Sequence, residues 1–282
     1  MKLETVEILS IASGGVNEDR AGVAPRLAWV IDGATDVVPE PLTAWPSDAA
    51  WFAAGMHDLA ETLHPSPSFS LADLPELVAE RLAARFAADA KRTPAGRDEH
   101  PSASAIVVRT IEGDTLEYVS VGDCTLIVDS GGHRTQVGVD EENAGDRWVV
   151  DALKERKESA KPMTRADLWP QLRAQRARMN TPTGYGVFSI TAPPRSMIRH
   201  GTIPLAPESR ILLASDGLMR LVDVFRRYTA ARLFDAAWTT GLDPLFDELR
   251  ALETADADCT RHPRAKTSDD TSAVLLRATV SP

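Results

Sequence analysis

The hydrophobic positions along this chain divide it into strand-like runs and helix-like segments. Apolar residues recur at helical spacing after Ser47 or Asp48, either of which can cap a helix, and again over about 71–90. Two more helices are predicted near 218–235 and 243–253. Short apolar runs bounded by turn residues predict strands near 3–12, 25–32, 103–110, 115–121, 124–129, 186–191, 197–200, 209–215 and 271–278. Because strands and helices come in blocks rather than in regular alternation, the pattern predicts an α+β fold.

The segment 138–182 differs from the rest of the chain because it is dense in charge. A helix is predicted to begin at Thr164, because Thr164-Arg165-Ala166-Asp167 resembles a capping box with Asp in place of Glu. The basic residues of the segment are Arg147, Lys154, Arg156, Lys157, Lys161, Arg165, Arg173, Arg176 and Arg178.

Length and composition limit the class of protein. The 282 residues fit one large domain or two small ones, and a hydrophobic fraction of 43% suffices for a sizeable core. The formal charge of -10 argues against a general nucleic-acid binder and against binding to an anionic membrane surface. Two cysteines, no secretory signal at the start and no run of about 18 apolar residues predict a cytoplasmic protein without a membrane span.

Acidic residues stand at the ends of several predicted strands. They are Glu18, Asp19, Asp32, Asp123, Asp216 and Asp269. Carboxylates that converge at one end of a sheet repel each other unless a cation lies among them. Hard divalent cations such as Mg²⁺ and Mn²⁺ take oxygen ligands of this kind. The pattern therefore predicts a metal-dependent enzyme whose ligands come from distant parts of the sequence.

Short motifs around these residues occur in a fixed order. They are Asn17-Glu18-Asp19, Asp32-Gly33, Ser102-Ala103-Ser104-Ala105, Gly122-Asp123-Cys124, Ala214-Ser215-Asp216-Gly217-Leu218 and Asp269-Asp270-Thr271-Ser272. The order resembles the metal-dependent protein phosphatases of type 2C over about residues 3–278. The resemblance implies a single phosphatase-like domain over 1–282, with a charged flap insertion at about 138–182. The implied fold is a four-layer αββα sandwich, two antiparallel sheets flanked by helix pairs.

The resemblance also implies a centre of two ions, Mn²⁺ or Mg²⁺, with a bridging water as the nucleophile. Asp32 would bridge the ions, so Asp32 and Asp216 would act in catalysis through metal-bound water. The implied metal ligands are Glu18, Asp19, Asp32, the Gly33 carbonyl, Asp216 and Asp269. Glu18 would bind directly or through water, and Asp19 would hold ligating waters.

Two positions depart from the family pattern. Gly14 stands where the family usually has an arginine that clamps the substrate phosphate. Arg20 and Arg220 are the candidate replacements, because a guanidinium binds phosphate in a bidentate manner. Arg220 also stands where an acidic ligand of an accessory metal is usual, so we expect two ions rather than three. Asp123, which is equally consistent with a turn, and Asp223 are the remaining candidates for an accessory site.

The sequence thus predicts a cytoplasmic signalling phosphatase that acts on phosphoserine and phosphothreonine in proteins. Two alternatives stay open because of Gly14 and Arg220: a phosphatase of small phosphate esters, and a catalytically weak regulatory module that binds a phosphoprotein. The flap at 138–182 is interpreted either as a solvated helical surface or as a surface that selects phosphoprotein partners by local positive charge. Neither nucleic acid nor membrane is expected as a partner, and a monomer is favoured.

Overall fold

A computed structural model of the chain describes residues 1–24, 26–63, 69–138 and 165–280. Its strands are β1 Lys2–Ile11, β2 Asp19–Ala24, β3 Leu27–Gly33, β4 Ser102–Ile111, β5 Thr115–Val121, β6 Thr125–Ser130, β7 His133–Val137, β8 Phe188–Ser189, β9 Arg199–Pro204, β10 Arg210–Ala214 and β11 Thr271–Thr279. Its helices are α1 Asp48–Thr62, α2 Leu74–Asp89, α3 Arg165–Arg176, α4 Asp216–Asp223, α5 Ala230–Thr240 and α6 Leu242–Ala255.

The strands form two antiparallel sheets. One sheet has the order β1-β11-β10-β6-β7, and the other has the order β2-β3-β4-β5-β9, with β8 paired to β4. Alternation along the strands decides which side chains enter which layer. Along β3, for example, Val30 faces the other sheet while Trp29 and Ile31 face the helices. Each sheet is therefore buried on both faces, which explains why its central strands are almost continuously apolar.

Three apolar clusters separate four layers. The cluster between the sheets contains Val30, Ile106, Val128, Leu213 and Val274 among others. A second cluster joins α1 and α2 to the sheet of β3 and β4, and a third joins α4, α5 and α6 to the sheet of β10 and β11. The predicted four-layer αββα sandwich of two antiparallel sheets is confirmed, although three helices rather than a pair cover the second sheet.

The structure differs from the prediction at two elements. The single helix expected near 218–235 is divided into α4 and α5. Arg226 lies between them with a φ of 51°, a left-handed conformation that interrupts a helix, and the Thr229 side chain then caps α5 by accepting a hydrogen bond from the Arg232 backbone. Strand β2 was not predicted either, because its polar start at Asp19 and its Gly22 hide the apolar pattern.

No helix in the described part of the chain is long and apolar enough to cross a membrane.

A buried ion pair fastens the start of α2 to the sheet. Arg109 on β4 donates from Nε to Glu117 Oε2 on β5 at 2.5 Å, and Arg109 Nη2 donates to the Phe69 carbonyl. The other carboxylate oxygen of Glu117 accepts a hydrogen bond of 2.9 Å from the Leu71 backbone. The pair thus satisfies backbone groups at the point where the loop enters the helical layer.

We predict that Glu117→Ala lowers the free energy of unfolding by about 3 kcal/mol, because it leaves the buried Arg109 without its carboxylate. The measurement is urea denaturation followed by circular dichroism. Arg195→Ala is the matched control: Arg195 pairs with Asp73 at 2.6 Å on the surface, so its loss should leave the urea midpoint unchanged. Equal midpoints for Glu117→Ala and the control would contradict the prediction.

Candidate active site

The acidic residues of the motifs meet at one edge of the sandwich. On one sheet, Asp19 opens β2 directly opposite Asp32 at the end of β3, and Asp123 follows β5. On the facing sheet, Asp216 opens α4 after β10, and Asp269 precedes β11. A cavity of about 500 Å³ lies at this edge, and Asp32, Asp123, Asp216 and Asp269 are among the residues that line it. Strand ends of both sheets therefore supply the acidic wall of one cavity.

Two glycines allow the chain segments to approach closely enough for this arrangement. A Cβ atom on Gly33 would lie 2.4 Å from the Glu18 carbonyl oxygen, and the Gly33 backbone donates a hydrogen bond of 3.1 Å to the same oxygen. A Cβ atom on Gly217 would lie 2.0 Å from the Asp270 carbonyl oxygen. Both contacts exclude any side chain, so each Asp-Gly motif combines an acidic group with close backbone packing.

Asp270 positions the loop that carries Glu18. Asp270 Oδ1 accepts hydrogen bonds from the Ser13 backbone at 2.7 Å and from its hydroxyl at 3.0 Å, and Asp270 Oδ2 accepts one from the Glu18 backbone at 2.6 Å. Glu18 Oε2 in turn accepts a hydrogen bond of 2.6 Å from the Thr35 hydroxyl. The second Asp of Asp269-Asp270 thus fixes the loop, and the carboxylate of Glu18 is held beside the residues that follow Asp32.

Burial and mutual repulsion make these carboxyl groups reluctant to ionise. Burial raises the pKa of Asp32 well above its usual value, and the charges of Asp216 and Asp19 raise it further. Burial likewise raises the pKa of Asp19, with a further increase from Asp216, while a hydrogen bond with Ser215 opposes the shift. Burial and then Asp269 raise the pKa of Asp216 to about 6. Arg220 opposes the shift at Asp216 only in part, so the carboxyl groups of this cluster keep raised pKa values in the metal-free protein.

Two basic side chains reach Asp269. Arg220 Nη2 donates to Asp269 Oδ2 at 2.6 Å, and its Nη1 donates to Glu253 Oε1 at 2.9 Å. Lys266 Nζ lies 2.5 Å from Asp269 Oδ1 and donates to the Thr35 hydroxyl at 3.2 Å. Partial burial opposes the charge on Lys266, yet Asp269 and then Asp216 and Asp32 raise the pKa of its ammonium group. Both oxygens of Asp269 are therefore bound by cationic groups.

The donor groups fit a divalent cation better beside Asp19 and Asp32 than beside Asp269. Asp19 Oδ2 is buried and accepts no hydrogen bond from the described residues, so a cation beside Asp32 and Asp216 would give it a partner. In the described ranges, however, no three His, Cys, Asp or Glu side chains stand at the spacing that holds a metal ion. At Asp269 a cation would have to replace a basic side chain that is already bound.

The two arginines predicted to bind phosphate lie outside the cavity lining. Arg20 Nη1 donates to the carbonyl oxygens of Asn17 at 2.9 Å and Asp19 at 2.6 Å, so it holds the loop before β2. Arg220 is only 8% exposed and is paired as described above. Phosphate binding by Arg20 or Arg220 stays a prediction, and neither placement favours it.

Three basic residues that the sequence did not single out for this site line the cavity: Arg176, Arg199 and Lys266. Arg176 at the end of α3 donates to the Thr35 carbonyl at 3.0 Å and to the Ser102 hydroxyl at 3.2 Å. Arg199 on β9 donates from Nη2 to the Gly122 carbonyl, and its Nε has no acceptor among the described residues. Only their position in the fold identifies them, since no local motif surrounds them.

The remaining predicted site residues are divided between the cavity and the surface. Asp123 lines the cavity and raises the pKa values of Asp32 and Asp216, after the larger effects of burial and other carboxylates. Asp223 at the end of α4 is exposed and is not among the lining residues. The accessory metal site stays a prediction. Of the flap at 138–182, residues 139–164 lie outside the described part of the chain.

Comparison with solved structures identifies the fold. The chain is similar to the serine/threonine phosphatase PstP of Mycobacterium tuberculosis, with a TM-score of 0.58 and 15% identity over 99% of this chain and 100% of that one. It is similar to the catalytic domain of PstP in complex with two manganese ions, with a TM-score of 0.54, 16% identity and 99% of each chain covered. PppA, a regulatory component of a type VI secretion system in Pseudomonas aeruginosa, gives a TM-score of 0.54 and 15% identity over 99% of this chain and 100% of that one.

No protein-family model matches the sequence, and no curated protein matches it. At the level of the fold, the predicted resemblance to the type 2C phosphatases is confirmed over nearly the whole chain.

The raised pKa of Asp216 predicts a pH-dependent stability of the metal-free protein. The folded state binds the Asp216 proton up to a pH of about 6, whereas the unfolded chain releases it near pH 4. Folding is therefore weakened as the pH rises through this window. Asp216→Asn cannot ionise, so in chelator at pH 7.5 it should stabilise the protein by on the order of 2 kcal/mol.

The stability gain of Asp216→Asn should shrink at pH 4.5, where the wild-type carboxyl keeps its proton. Thermal melts of both proteins at the two pH values give the comparison. A lower melting temperature of Asp216→Asn at pH 7.5 would show that the carboxylate is not destabilising.

Proposed function

We propose that this protein is a metal-dependent phosphatase that hydrolyses phosphoserine and phosphothreonine in proteins. The proposal depends on one observation: carboxylates with raised pKa values line a cavity at the edge of a sandwich that has the fold of serine/threonine phosphatases. Perturbed carboxyl groups in a cleft are typical of functional sites. A cytoplasmic location and a role in signalling stay predictions from the sequence.

The proposed cofactor is Mn²⁺ or Mg²⁺, which agrees with the manganese complex of the similar PstP domain. The residues that would hold it are Glu18, Asp19, Asp32, the Gly33 carbonyl, Asp216 and Asp269. When bound, the ions would activate water as a nucleophile and neutralise charge on the phosphoryl oxygens. Before a metal binds, the strands hold the donor residues in place at their ends. Burial of the carboxyl groups makes the protonated or metal-bound state more favourable than the free carboxylate.

We propose that Arg176 and Arg199 bind the substrate phosphate. They would replace the phosphate-binding arginine that the resemblance leads us to expect at position 14, where this chain has glycine. Both guanidinium groups line the cavity that contains Asp32 and Asp216. Arg176 is held by backbone and hydroxyl acceptors, so its orientation is fixed before substrate binds. A pre-oriented guanidinium binds a phosphoryl group with little further loss of entropy.

The side chains of the protein contribute to the proposed mechanism by holding the substrate in position. The arginines orient the phosphoryl group, and the apolar cavity residues Val37, Leu172 and Met197 offer a surface for the part of the substrate next to the phosphate. Hydrolysis forms a bond from water oxygen to phosphorus and breaks the ester bond to the serine or threonine oxygen. The leaving oxygen takes its proton from water, since none of the described cavity residues is a histidine and we assign no side chain as the general acid.

A second candidate function is a catalytically weak module that binds a phosphoprotein. The observation that favours it is the pairing of Asp269 with both Arg220 and Lys266, which reduces the availability of one metal ligand. Measured turnover distinguishes the two functions. A phosphatase of small phosphate esters is distinguished by its preference for such esters over a phosphopeptide.

We predict that Asp32→Asn lowers Mn²⁺-dependent hydrolysis of a phosphothreonine peptide by about a thousandfold while the circular dichroism spectrum is retained. A loss of this size corresponds to about 4 kcal/mol of transition-state stabilisation. The measurement is phosphate release at saturating Mn²⁺, with chelator as the blank. Asp247→Asn, an exposed change of the same type on α6, is the control and should keep full activity. Full activity of Asp32→Asn would exclude the proposed site.

We predict that Arg176→Lys raises KM for the phosphopeptide about tenfold, with a smaller decrease in kcat, because a bidentate contact to the phosphate is lost while the charge is kept. Steady-state kinetics with two peptide lengths measure both constants. Arg178→Lys is the control, since Arg178 lies two residues further along on the exposed side and binds the Thr183 carbonyl. An unchanged KM in Arg176→Lys, together with a raised KM in Arg220→Lys, would return the role to Arg220.

A further inference from the structure

The carboxylate of Asp269 has two basic partners that differ in how firmly they are held. Arg220 is 8% exposed, and its second partner, Glu253, is 1% exposed. Glu253 is also bound by Arg250, which in addition donates to the Asp269 carbonyl at 2.6 Å. Arg220 therefore belongs to a buried network that ties α4 to α6 and to the start of β11. Its removal would leave the buried Glu253 and the half-buried Asp269 each with one partner fewer, which is unfavourable.

Lys266 is held less firmly. Its side chain is 35% exposed, it lies in the loop that precedes β11, and it lines the cavity beside the Thr35 hydroxyl. Its ammonium group can move to solvent by rotation of its flexible stem, because lysine has a long chain of rotatable bonds. At Asp269 it occupies Oδ1, the oxygen that Arg220 does not bind. A divalent cation that uses this oxygen must displace it.

Asp19 and Asp32 have no such competitor among the described residues. Asp19 is 1% exposed and its Oδ2 has no hydrogen-bond partner among the described residues, while Asp19 and Asp32 face each other across β2 and β3. No basic side chain forms an ion pair with Asp19 or Asp32 in the described part of the chain. A first cation therefore relieves repulsion here without displacing any group.

We propose that Lys266 competes with the second divalent cation for Asp269, so that the protein binds one ion tightly and a second ion only by displacing the lysine. The proposal rests on the proposed function, because it concerns the same metal centre. When only one ion is bound, the ammonium group of Lys266 neutralises the Asp269 carboxylate. The metal concentration then decides whether Asp269 is bound by Lys266 or by the second ion.

The test measures metal binding without substrate. Isothermal titration of the full chain with Mn²⁺ is compared for the wild type, Lys266→Gln and Lys266→Arg. We expect one tight ion in the wild type and a second that binds at least about tenfold more weakly. Lys266→Gln should tighten the second ion about tenfold or more and leave the first within about twofold, whereas Lys266→Arg should resemble the wild type.

Lys91→Gln is the matched control, because Lys91 is exposed after α2 and is outside the cavity lining. Equal tightening of both ions in Lys266→Gln would indicate a general charge effect and would overturn the proposal. Two ions of equal affinity in the wild type, an unchanged second affinity in Lys266→Gln, or no binding in either protein would also overturn it. If the expected binding pattern occurs without phosphatase turnover, the inference holds and the proposed function fails.

Discussion

Repulsion among buried carboxylates is the constraint on which the cavity-bearing edge of this sandwich depends. Asp19, Asp32 and Asp216 come from both sheets and meet where solvent cannot screen their charges, so their pKa values rise. A flexible loop would move such groups apart. Here Asp19 and Asp32 are paired in the ladder of β2 and β3, and Asp216 begins α4 two residues after the ladder of β10, so the three groups cannot move apart freely. The rigidity of the sandwich therefore serves to keep together groups that would otherwise separate.

The apolar layers supply the stability that this arrangement requires. The cluster between the sheets holds the two carboxylate-bearing edges at a constant separation, and the two outer clusters bury the remaining faces under helices. Close packing then transmits position from the core to the edge, since a packed interior deforms little. Gly33 and Gly217 extend the packing to the backbone itself, where no side chain fits. Local strain and repulsion at a functional site are compensated in this way by the rest of the fold.

The sequence was sufficient for those features that are local in the chain. The position of Asp32 and Asp216 at strand ends was predicted correctly, because each acidic residue directly follows an apolar run in the sequence. Strand β2 was missed because its pairing with β3, rather than its own pattern, makes it a strand. The interruption between α4 and α5 was missed because the apolar periodicity continues through it. Arg199 and Lys266 were not identified, and Arg176 was identified only as one of the basic residues of the flap, because only the fold brings the three to the cavity of Asp32.

Arg220 shows how one residue can change the balance of such a site. At a position where the resemblance leads us to expect an acidic ligand, it adds positive charge and directs it at Asp269. The buried Glu253 holds that charge in place, so Arg220 behaves as a fixed part of the scaffold rather than as a group free to bind substrate. The proposed phosphate contacts are therefore side chains that line the cavity, and one of them, Arg176, ends α3. The proposed phosphate contact of Arg176 consequently lies on α3, inside the charged segment that the sequence interprets either as a solvated surface or as a surface that selects phosphoprotein partners.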